Sequence, residues 1–430
     1  MDPAAPLDPE LIPPQLRDGA RCEALAEEFG TPLFVYDEDA LAQRFREYAR
    51  NFGPGNVTYA GKAFLCTAVA RLVAEEGLRL DVATGGELHV ALHAGFPADR
   101  LVLHGNNKSD DELRTALDAG AGRIVADSFD ELDRLERLAA GRPEAPAVLV
   151  RVTPGVEAHT HEYIETGTEV SKFGFSVATG AAGAAVARVH GSPVLDFAGL
   201  HCHIGSQVFR LDSYARAIEV IGRVIAEIGT ATGATVAELN VGGGLGARYL
   251  TDDPEIAVAD YAKTLRVALE EVCAVHHLDP APRLTVEPGR SIVAAAAITL
   301  YRVGTVKEIP GVATYVAVDG GMSDNPRPVL YGAGYEAYLP GRLGDERPLV
   351  CNVAGKHCEQ GDVIVTGAHL PADVQLGDLL ATPTTGAYGY SMASNYNKVP
   401  RPAVVFVRDG EARVVVRRES ADDLVRLDAP

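Results

Sequence analysis

The sequence predicts an α/β fold, a TIM-type (β/α)8 barrel, followed by a C-terminal all-β domain. Between about residues 57 and 287, short β-branched runs alternate with stretches rich in Ala, Leu, Glu and Arg that repeat with helical periodicity. This alternation is typical of a parallel sheet covered by helices. Eight such units over about 230 residues match the size of a TIM barrel. After Ser291 the helical stretches stop, and strand-like runs follow one another directly.

The strand and helix candidates follow in order along the chain. Barrel strands are predicted at Val57–Ala60, Leu78–Val82, Leu101–His104, Arg123–Ala126, Ala147–Val152, Asp196–His201, Val236–Val241 and Arg283–Glu287. Helices between them are predicted at Thr67–Glu76, Glu87–Ala94, Asp110–Ala119, Phe129–Ala139 and Tyr214–Ile228. The second domain is predicted to contain strands Thr314–Val318, Leu349–Val353 and Asp362–Thr366, and a hairpin of Ala403–Val407 with Arg413–Arg417 around Asp409-Gly410.

Three segments are predicted from this pattern. Residues 1–36 form an N-terminal segment that partly joins the β-domain, residues 37–290 form the barrel, and residues 291–430 form an antiparallel β-domain. Thr31-Pro32 ends a helical pattern because the residue before proline disfavours the helical conformation. Leu33–Tyr36 is therefore expected to be an edge strand of the second domain.

Composition narrows the class of function. The chain has 430 residues, and its 39 basic and 59 acidic residues give a formal charge of −20. That charge repels nucleic acids and anionic membrane surfaces, so a small substrate is expected. Met1–Leu16 is rich in proline and acid and shows no signal peptide, and no uncharged apolar run reaches the ~18 residues of a membrane span. A cytoplasmic protein with six reduced cysteines is expected.

The polar candidates lie at or just past the C-terminal ends of the predicted strands. That end is the catalytic face of a TIM barrel. A doubly wound sheet would instead collect its site at one switch point, so the spread of candidates favours the barrel. The candidates are Lys62, Asp81, Arg151, His203, the loop Gly242-Gly243-Gly244-Leu245-Gly246, and Glu287.

Lys62 is the candidate for a covalent cofactor anchor. A single lysine after a strand is usually a solvated charge, but Lys62 is predicted to lie at the barrel mouth in Tyr59-Ala60-Gly61-Lys62. A nucleophilic lysine must lose its proton readily, and the apolar neighbours Tyr59-Ala60 and Ala63-Phe64 are expected to desolvate it and lower its pKa.

Two histidines follow a later strand. His201 and His203 are two positions apart, so on a strand both would point to the same face. No third ligand at metal-site spacing is evident, and the sequence predicts no metal. We expect His203 to stack on a flat cofactor ring and His201 to be a hydrogen-bonded core residue.

The remaining motifs fit pyridoxal phosphate (PLP). Such an enzyme needs a lysine anchor, a partner for the pyridine nitrogen, backbone donors for the phosphate and an acid. The Gly242–Gly246 loop can expose N–H groups to a phosphate, although it lacks the full dinucleotide spacing. Glu287 can pair with the pyridine nitrogen, or form only an ion pair with Arg290. Cys358-Glu359 supplies a thiol as the acid.

The chain resembles the PLP-dependent decarboxylases with an alanine-racemase-like barrel, a group that includes ornithine and arginine decarboxylases, and within it the meso-diaminopimelate decarboxylases. The resemblance runs from about Leu33 to the C-terminus. Phe64 and Gln360 depart from residues common in relatives, at positions that are not catalytic. Beyond the motifs above, the matching stretches are His161–Gly167, Lys172-Phe173-Gly174, Met322–Pro328 with Tyr331, Gly386-Ala387-Tyr388 and Ser391–Asn397.

The resemblance implies PLP-dependent decarboxylation of meso-2,6-diaminopimelate to L-lysine and CO2, the last step of lysine biosynthesis. Lys62 and Cys358 would be catalytic, with Cys358 delivered from the partner subunit of a head-to-tail homodimer that shares its active sites. Asp81 and Arg151 match polar positions near the lysine. The cofactor would be held by Lys62, Asp81, His203, Ser206, Gly243, Gly244, Gly246, Glu287, Gly289, Arg290 and Tyr388, and the substrate by Arg290, Arg327, Tyr331, Glu359 and Tyr388.

Three alternatives remain open from the sequence. A decarboxylase of another diamino acid, such as ornithine, lysine or arginine, would differ only in the distal pocket. An alanine-type racemase would share the barrel and the lysine but would not be expected to carry Cys358-Glu359. A non-catalytic protein would be either a single-barrel PLP carrier, which the C-terminal β-domain disfavours, or a degenerate decarboxylase that acts as a binding partner. The degenerate decarboxylase would be expected to have lost Lys62 or Cys358, and both are present.

Overall fold

The structure is a computed structural model that describes residues 7–155 and 171–429. It divides into two compact units. The barrel unit comprises residues 45–246 and 256–289, and the β-unit comprises residues 1–44, 247–255 and 290–430, of which 1–6 and 430 lie outside the described part. The segment predicted at His161–Gly167 also lies outside it.

Elements are numbered in chain order within the described residues. The strands are β1 Leu33–Asp37, β2 Thr58–Ala60, β3 Arg79–Val82, β4 Leu101–Leu103, β5 Arg123–Ala126, β6 Ala147–Thr153, β7 Phe175–Ser176, β8 Asp196–His201, β9 Glu238–Asn240, β10 Arg283–Thr285, β11 Ala297–Ile309, β12 Ala313–Val318, β13 Leu349–Ala354, β14 Val363–Leu370, β15 Leu379–Pro383, β16 Ala403–Arg408 and β17 Glu411–Val416. The helices are α1 Gly19–Phe29, α2 Glu38–Phe52, α3 Thr67–Glu75, α4 Gly85–His93, α5 Asp110–Ala119, α6 Phe129–Ala139, α7 Ala181–Gly191, α8 Leu211–Thr232, α9 Val258–His276, α10 Arg290–Val293 and α11 Arg327–Tyr331.

The barrel unit confirms the predicted (β/α)8 architecture. Its parallel strands run in the order β10-β9-β8-β6-β5-β4-β3-β2, with short β7 added beside β6. Val57 and Val286 form a parallel bridge that joins the two ends of this order. The Thr58 N–H donates to Val286 O at 2.9 Å, and the Val286 N–H donates to Asn56 O at 3.0 Å. The eight predicted strands therefore close into a barrel.

Local sequence signals fix the helices around this barrel. Ser109 accepts from the Glu112 N–H, and the Glu112 carboxylate accepts from the Ser109 N–H, a capping box that starts α5. Gly120, with a left-handed backbone, ends the same helix. The predicted bounds Asp110–Ala119 and Phe129–Ala139 match α5 and α6.

Glu238 lies at the end of the barrel opposite the predicted site. It is the first residue of β9 and is buried. Its carboxylate accepts from Arg283 at 2.6 Å and from Arg123 at 3.2 Å, two residues that begin β10 and β5. Ion pairs therefore connect the N-terminal ends of these strands. The predicted site residues lie at the opposite, C-terminal ends of the barrel strands.

The β-unit corrects two predictions. Its sheet runs in the order β14-β13-β12-β11-β1-β16-β17, with β15 paired to β11. Strand β1 is not at the edge: it pairs antiparallel with β11 and parallel with β16, and all five of its residues are buried. The sheet is mixed rather than antiparallel, because β12 also pairs parallel with β13. Parallel neighbours need crossover connections, which adjacent stretches of sequence do not reveal.

The division into units also differs from the predicted boundaries. Helix α2 spans the division at residues 44 and 45, and residues 247–255 group with the β-unit although they lie within the predicted barrel segment. Arg248 pairs with Asp8 at 2.7 Å, and the Thr251 hydroxyl contacts Glu336 at 3.3 Å. These contacts attach the segment to the β-unit.

None of the helices in the described part of the chain is both long enough and apolar enough to cross a membrane.

Candidate active site

Lys62 lies in the turn Gly61–Ala63 that directly follows β2. The turn is tight: a Cβ on Gly61 would lie 2.7 Å from Asp81 O, so the position requires glycine. Tyr59 is buried and donates from its hydroxyl to Phe64 O at 2.6 Å, which fixes both sides of the turn. Lys62 itself is exposed, so the expected desolvation by its apolar neighbours is wrong. Those neighbours are buried and leave the lysine accessible to a ligand.

Glu287 is buried at the C-terminal end of the barrel strands, and its carboxylate is the centre of a group of polar side chains. Its Oε1 lies 2.9 Å from His104 Nε2 and accepts from Asn240 Nδ2 at 2.8 Å. Its Oε2 lies 3.0 Å from His201 Nε2. The three partners come from the ends of β4, β9 and β8, so they converge only because the barrel closes.

The charges of this group follow from burial and pairing. Burial raises the pKa of Glu287, but His104 and His201 outweigh it, and the pKa lies well below its ordinary value. Burial lowers the pKa of His201 to about 4, so this imidazole is neutral near pH 7. Burial also lowers the pKa of His104, but the carboxylates Asp81 and Glu287 outweigh it and raise that pKa. Glu287 is therefore an ionised carboxylate in a buried setting.

The carboxylate retains capacity for one more donor. An ionised carboxylate has about four lone-pair sites, and His104, His201 and Asn240 use three of them. The remaining site, on Oε2, suits a protonated ring nitrogen. This donor count fits the expected pairing of Glu287 with a pyridine nitrogen.

His201 lies close to two other potential metal ligands, which the spacing in the sequence does not indicate. The ligand atoms of His104, His201 and Glu287 all lie within 4.8 Å of one another. His203, the other member of the predicted pair, is not part of this group. The hydrogen bonds to Glu287 account for the arrangement of both histidines.

His203 lies in the loop just after β8 rather than on the strand. Its Nδ1 accepts from the Gly243 N–H at 3.3 Å, so the tautomer carries its proton on Nε2. Burial and then the Lys62 charge lower its pKa well below the ordinary value. The ring is neutral, half-buried and fixed in orientation, as stacking on a flat ring requires.

The glycine loop packs against backbone on several sides. A Cβ on Gly243 would lie 2.1 Å from Glu287 O, and one on Gly244 would lie 2.3 Å from Gly205 O. Val208 and Leu245 form a parallel bridge that ties the loop to the segment containing Ser206. A close backbone of this kind offers N–H groups to a phosphate without side chains in the way.

Gly289 and Gly246 complete this set. A Cβ on Gly289 would lie 3.0 Å from Ala60 Cβ, and one on Gly246 would lie 2.5 Å from the Phe209 ring. The Ala60 N–H donates to Pro288 O at 3.0 Å. The turn after Glu287 thus packs on the turn that bears Lys62.

Asp81 and Arg151 have different surroundings. Asp81 is buried, burial raises its pKa, and its Oδ1 lacks a hydrogen-bond partner among the described residues. Arg151 pairs with Asp127 at 3.6 Å and stacks on Phe173 at 4.3 Å. Arg151 therefore anchors the Lys172-Phe173-Gly174 segment, and Asp81 has an acceptor to offer a ligand.

The β-unit contains an arginine–tyrosine cluster. The Arg290 guanidinium lies 4.7 Å from the Tyr388 ring centre and donates to Tyr249 Oη at 2.9 Å. The Arg327 guanidinium lies 4.4 Å from the Tyr249 ring centre and donates to Tyr335 Oη. Tyr388 has a φ of 58°, which is unusual for a bulky residue. Two of the predicted substrate residues thus share one tyrosine.

Cys358 and Glu359 are exposed in the turn between β13 and β14. Two hydrogen bonds hold the backbone of this turn. Buried Asp362 accepts from the His357 N–H at 2.8 Å, and Asn397 Oδ1 accepts from the Cys358 N–H at 3.2 Å. Tyr331, at the end of α11, is half-buried. A thiol on an anchored, exposed turn is suited to act on a ligand.

The structure distributes the predicted site residues over both units. Four residues that the sequence analysis did not assign to the site join them: His104, Asn240, Tyr249 and Tyr335. His104 and Asn240 follow the rule of polar residues at strand ends and could have been found, whereas no local signal distinguishes the two tyrosines. The barrel unit holds Lys62, Asp81, His203, Ser206, Gly243, Gly244, Gly246, Glu287 and Gly289, and the β-unit holds Arg290, Arg327, Tyr331, Cys358, Glu359 and Tyr388.

Comparisons with known proteins bear on the family. Residues 38–294 match the family of the pyridoxal-dependent decarboxylases, through its pyridoxal binding domain. Diaminopimelate decarboxylase of Mycobacterium tuberculosis is 52% identical over 94% of this chain and 92% of its own length. The enzyme of that name from Bacillus subtilis is 48% identical over 94% of this chain and 93% of its own length.

The chain belongs to the diaminopimelate decarboxylase family of pyridoxal-dependent enzymes. Solved structures agree: diaminopimelate decarboxylase of M. jannaschii superimposes with a TM-score of 0.88 at 32% identity, covering 95% of this chain and 94% of its own. The Helicobacter pylori enzyme complexed with L-lysine gives 0.86 at 32% identity, covering 95% and 99%. The predicted family, fold class and cofactor class are confirmed.

We predict that Glu287→Gln destabilises the protein more at about pH 6 than at about pH 9. The raised pKa of His104 contributes stability that is present below the ordinary histidine value and is lost as pH rises through the folded-state pKa. Glutamine keeps the shape but removes the charge, so the extra loss at low pH should be on the order of 1–3 kcal/mol. Urea unfolding at the two pH values measures it.

The control for this experiment is Glu144→Gln, an exposed glutamate of the same unit. It should change the unfolding free energy equally little at both pH values. An equal loss at both pH values for Glu287→Gln would contradict the coupling between Glu287 and His104.

Proposed function

We propose that the protein decarboxylates meso-diaminopimelate to L-lysine and CO2, with PLP as its cofactor. The observation that carries the substrate assignment is Arg327, a guanidinium only 5% exposed whose polar neighbours are phenols. No carboxylate of the described chain pairs with it. A buried cation of this kind suits a substrate that brings its own carboxylate.

In this proposal the barrel unit holds the cofactor. Lys62 is the covalent anchor, His203 stacks on the ring, and Glu287 pairs with the pyridine nitrogen. Asp81 offers a further acceptor. The phosphate group would be held by Ser206, Gly244, Gly246, Gly289 and Tyr388. Gly243 and Arg290 are further proposed cofactor contacts.

The bound cofactor supplies an electron sink for the electrons that remain when the carboxylate leaves as CO2. Glu287 would keep the ring nitrogen protonated, because the buried carboxylate is ionised and has one acceptor site left. Lys62 would hold the cofactor covalently through its side-chain amine. Cys358 then delivers a proton to the α-carbon from its thiol. Each residue contributes where charge develops during the reaction.

The residues that contact the distal end of the substrate select diaminopimelate. Arg327 offers a planar fork that suits a carboxylate, and Glu359 can pair with the ammonium group on the same distal carbon. Arg290, Tyr331 and Tyr388 complete the proposed substrate contacts. Ornithine and lysine bring only the ammonium group and would leave Arg327 without an anion.

We further propose a homodimer whose active sites are shared. Lys62 belongs to the barrel unit and Cys358 to the β-unit, and in the resembling family these groups meet across a head-to-tail dimer. The cytoplasmic location and the absence of nucleic-acid or membrane partners, both expected from the sequence, stay predictions.

The lysine/ornithine decarboxylase of Vibrio vulnificus, solved with cadaverine, is also similar, with a TM-score of 0.77 at 25% identity. Decarboxylation of another diamino acid is therefore the second candidate function. The cluster around Arg327 favours the dicarboxylate.

Borohydride reduction of the PLP-loaded protein should attach the cofactor to Lys62. The reason is its position in the first turn after β2, beside the turn after Glu287. Peptide mass analysis locates the label. Lys62→Ala should take up none, whereas Lys172→Ala, the matched control in the same unit, should be labelled like the wild type. A label on another lysine would disprove the assignment.

Mixing Lys62→Ala and Cys358→Ala proteins should restore part of the activity. Each variant is inactive alone, but a heterodimer with shared sites regains one site that has both groups. CO2 release after subunit exchange measures the recovery, and the control is each variant carried through the same exchange by itself. Exchange without recovery would show that each subunit builds its own site.

Arg327→Ala should lower kcat/KM for meso-diaminopimelate at least tenfold, since losing a buried charge pair costs about 2–5 kcal/mol. Residual turnover of lysine should change far less. CO2 release from a panel of amino acids measures both effects and tests the function itself. Arg342→Ala, at a partly exposed arginine of the same unit, should leave both rates unchanged. Wild-type turnover of lysine or ornithine as efficient as that of diaminopimelate would refute the distal-carboxylate assignment.

A further inference from the structure

Arg327 is a buried cation, and not all of its N–H groups are hydrogen-bonded. Its Nε has no hydrogen-bond partner, and nothing acidic in residues 7–155 or 171–429 forms an ion pair with it. Burial disfavours its charge, and the nearby phenols of Tyr249, Tyr335 and Tyr388 are what favour it. A buried charge is costly unless it is paired. These tyrosines therefore set where the guanidinium lies and how readily it takes an anion.

Tyr249 contacts both arginines. The face of its ring lies under the Arg327 guanidinium at 4.4 Å, and its hydroxyl accepts from Arg290 Nη1 at 2.9 Å. Tyr335 meets the Tyr249 ring edge-on, with ring centres 5.2 Å apart and planes at 84°. The two cations are thus spaced by one rigid ring with two rotatable bonds.

The two buried tyrosines differ in their readiness to carry charge. Burial opposes ionisation of Tyr249, but Arg290 and Arg327 outweigh it and lower its pKa. Burial raises the pKa of Tyr335 to about 12. Tyr249 is therefore the phenol that offers partial negative charge to both guanidinium groups.

The backbone under Tyr249 is held in place. The Tyr249 and Leu250 N–H groups both donate to Asp253 Oδ2, at 2.8 and 3.0 Å. Arg248 pairs with Asp8 at 2.7 Å. A positioning side chain needs such support, because any mobility of its own would also displace the groups that it positions.

We propose that Tyr249 is a positioning residue that fixes the separation of Arg290 and Arg327 and thereby selects substrates with two carboxylates. It deepens the proposed function and rests on it. The ring orients Arg327 by its face, and the hydroxyl orients Arg290 by its lone pair. A dicarboxylate can then meet both cations, whereas a monocarboxylate meets one.

The test uses Tyr249→Phe in the PLP-loaded protein. Phenylalanine keeps the ring under Arg327 but removes the hydroxyl, which accepts from Arg290 and also favours the charge of Arg327. KM for meso-diaminopimelate should rise about tenfold or more with kcat within about twofold, since a hydrogen bond to a charged group is lost. Calorimetric binding of pimelate, the carbon skeleton with two carboxylates, should weaken by a similar factor, and binding of hexanoate should not.

The matched control is Tyr338→Phe, a buried tyrosine of the same unit whose hydroxyl has no hydrogen-bond partner in the described chain. It should leave KM, kcat and pimelate binding unchanged. An unchanged KM in Tyr249→Phe, or a fall in kcat alone, would overturn the proposal. Failure of the wild type to decarboxylate meso-diaminopimelate would instead refute the proposed function, so the two failures are distinguishable.

Discussion

The ionised, buried carboxylate of Glu287 is the interaction on which the barrel end depends. A carboxylate in this setting is stable only when donors surround it, and its donors His104, His201 and Asn240 stand at the ends of three different strands. They can meet only in a closed barrel. Closure also brings the backbone of Gly243 against Glu287 and the turn after Glu287 against the Lys62 turn. Closure of the barrel and assembly of the polar group around Glu287 therefore depend on each other.

The buried charges of the β-unit have partners of a different kind. Its cluster has two arginines and three tyrosines, and aromatic faces and phenol oxygens take the place of carboxylates around Arg327. Phenols contact the Arg327 guanidinium without neutralising it, which supports the proposal that the cluster binds an anion. The turn that carries Cys358 is supported by the buried Asp362, and the Cys358 thiol is exposed.

Part of the site was predictable because barrel chemistry collects at strand ends. That rule predicts Lys62 and Glu287 as candidates, and His104, the last residue of a predicted strand, obeys it too. The position of β1 was mistaken because a short apolar strand has the same pattern at an edge and at the centre of a sheet. Its central place depends on β11 and β16, which lie more than 250 residues further along the chain.

The sequence by itself determined the alternation of strands and helices, the barrel and the family, and it predicted Lys62 as the cofactor anchor, because periodicity and local motifs are properties of neighbouring residues. Only the tertiary structure decided which donors hold Glu287, that the β-sheet is mixed, and that Arg327 rests on Tyr249 rather than on a carboxylate. These outcomes depend on contacts between residues far apart in the chain. Burial then assigns the charges, since the same histidine or phenol changes its pKa with the neighbours that folding provides.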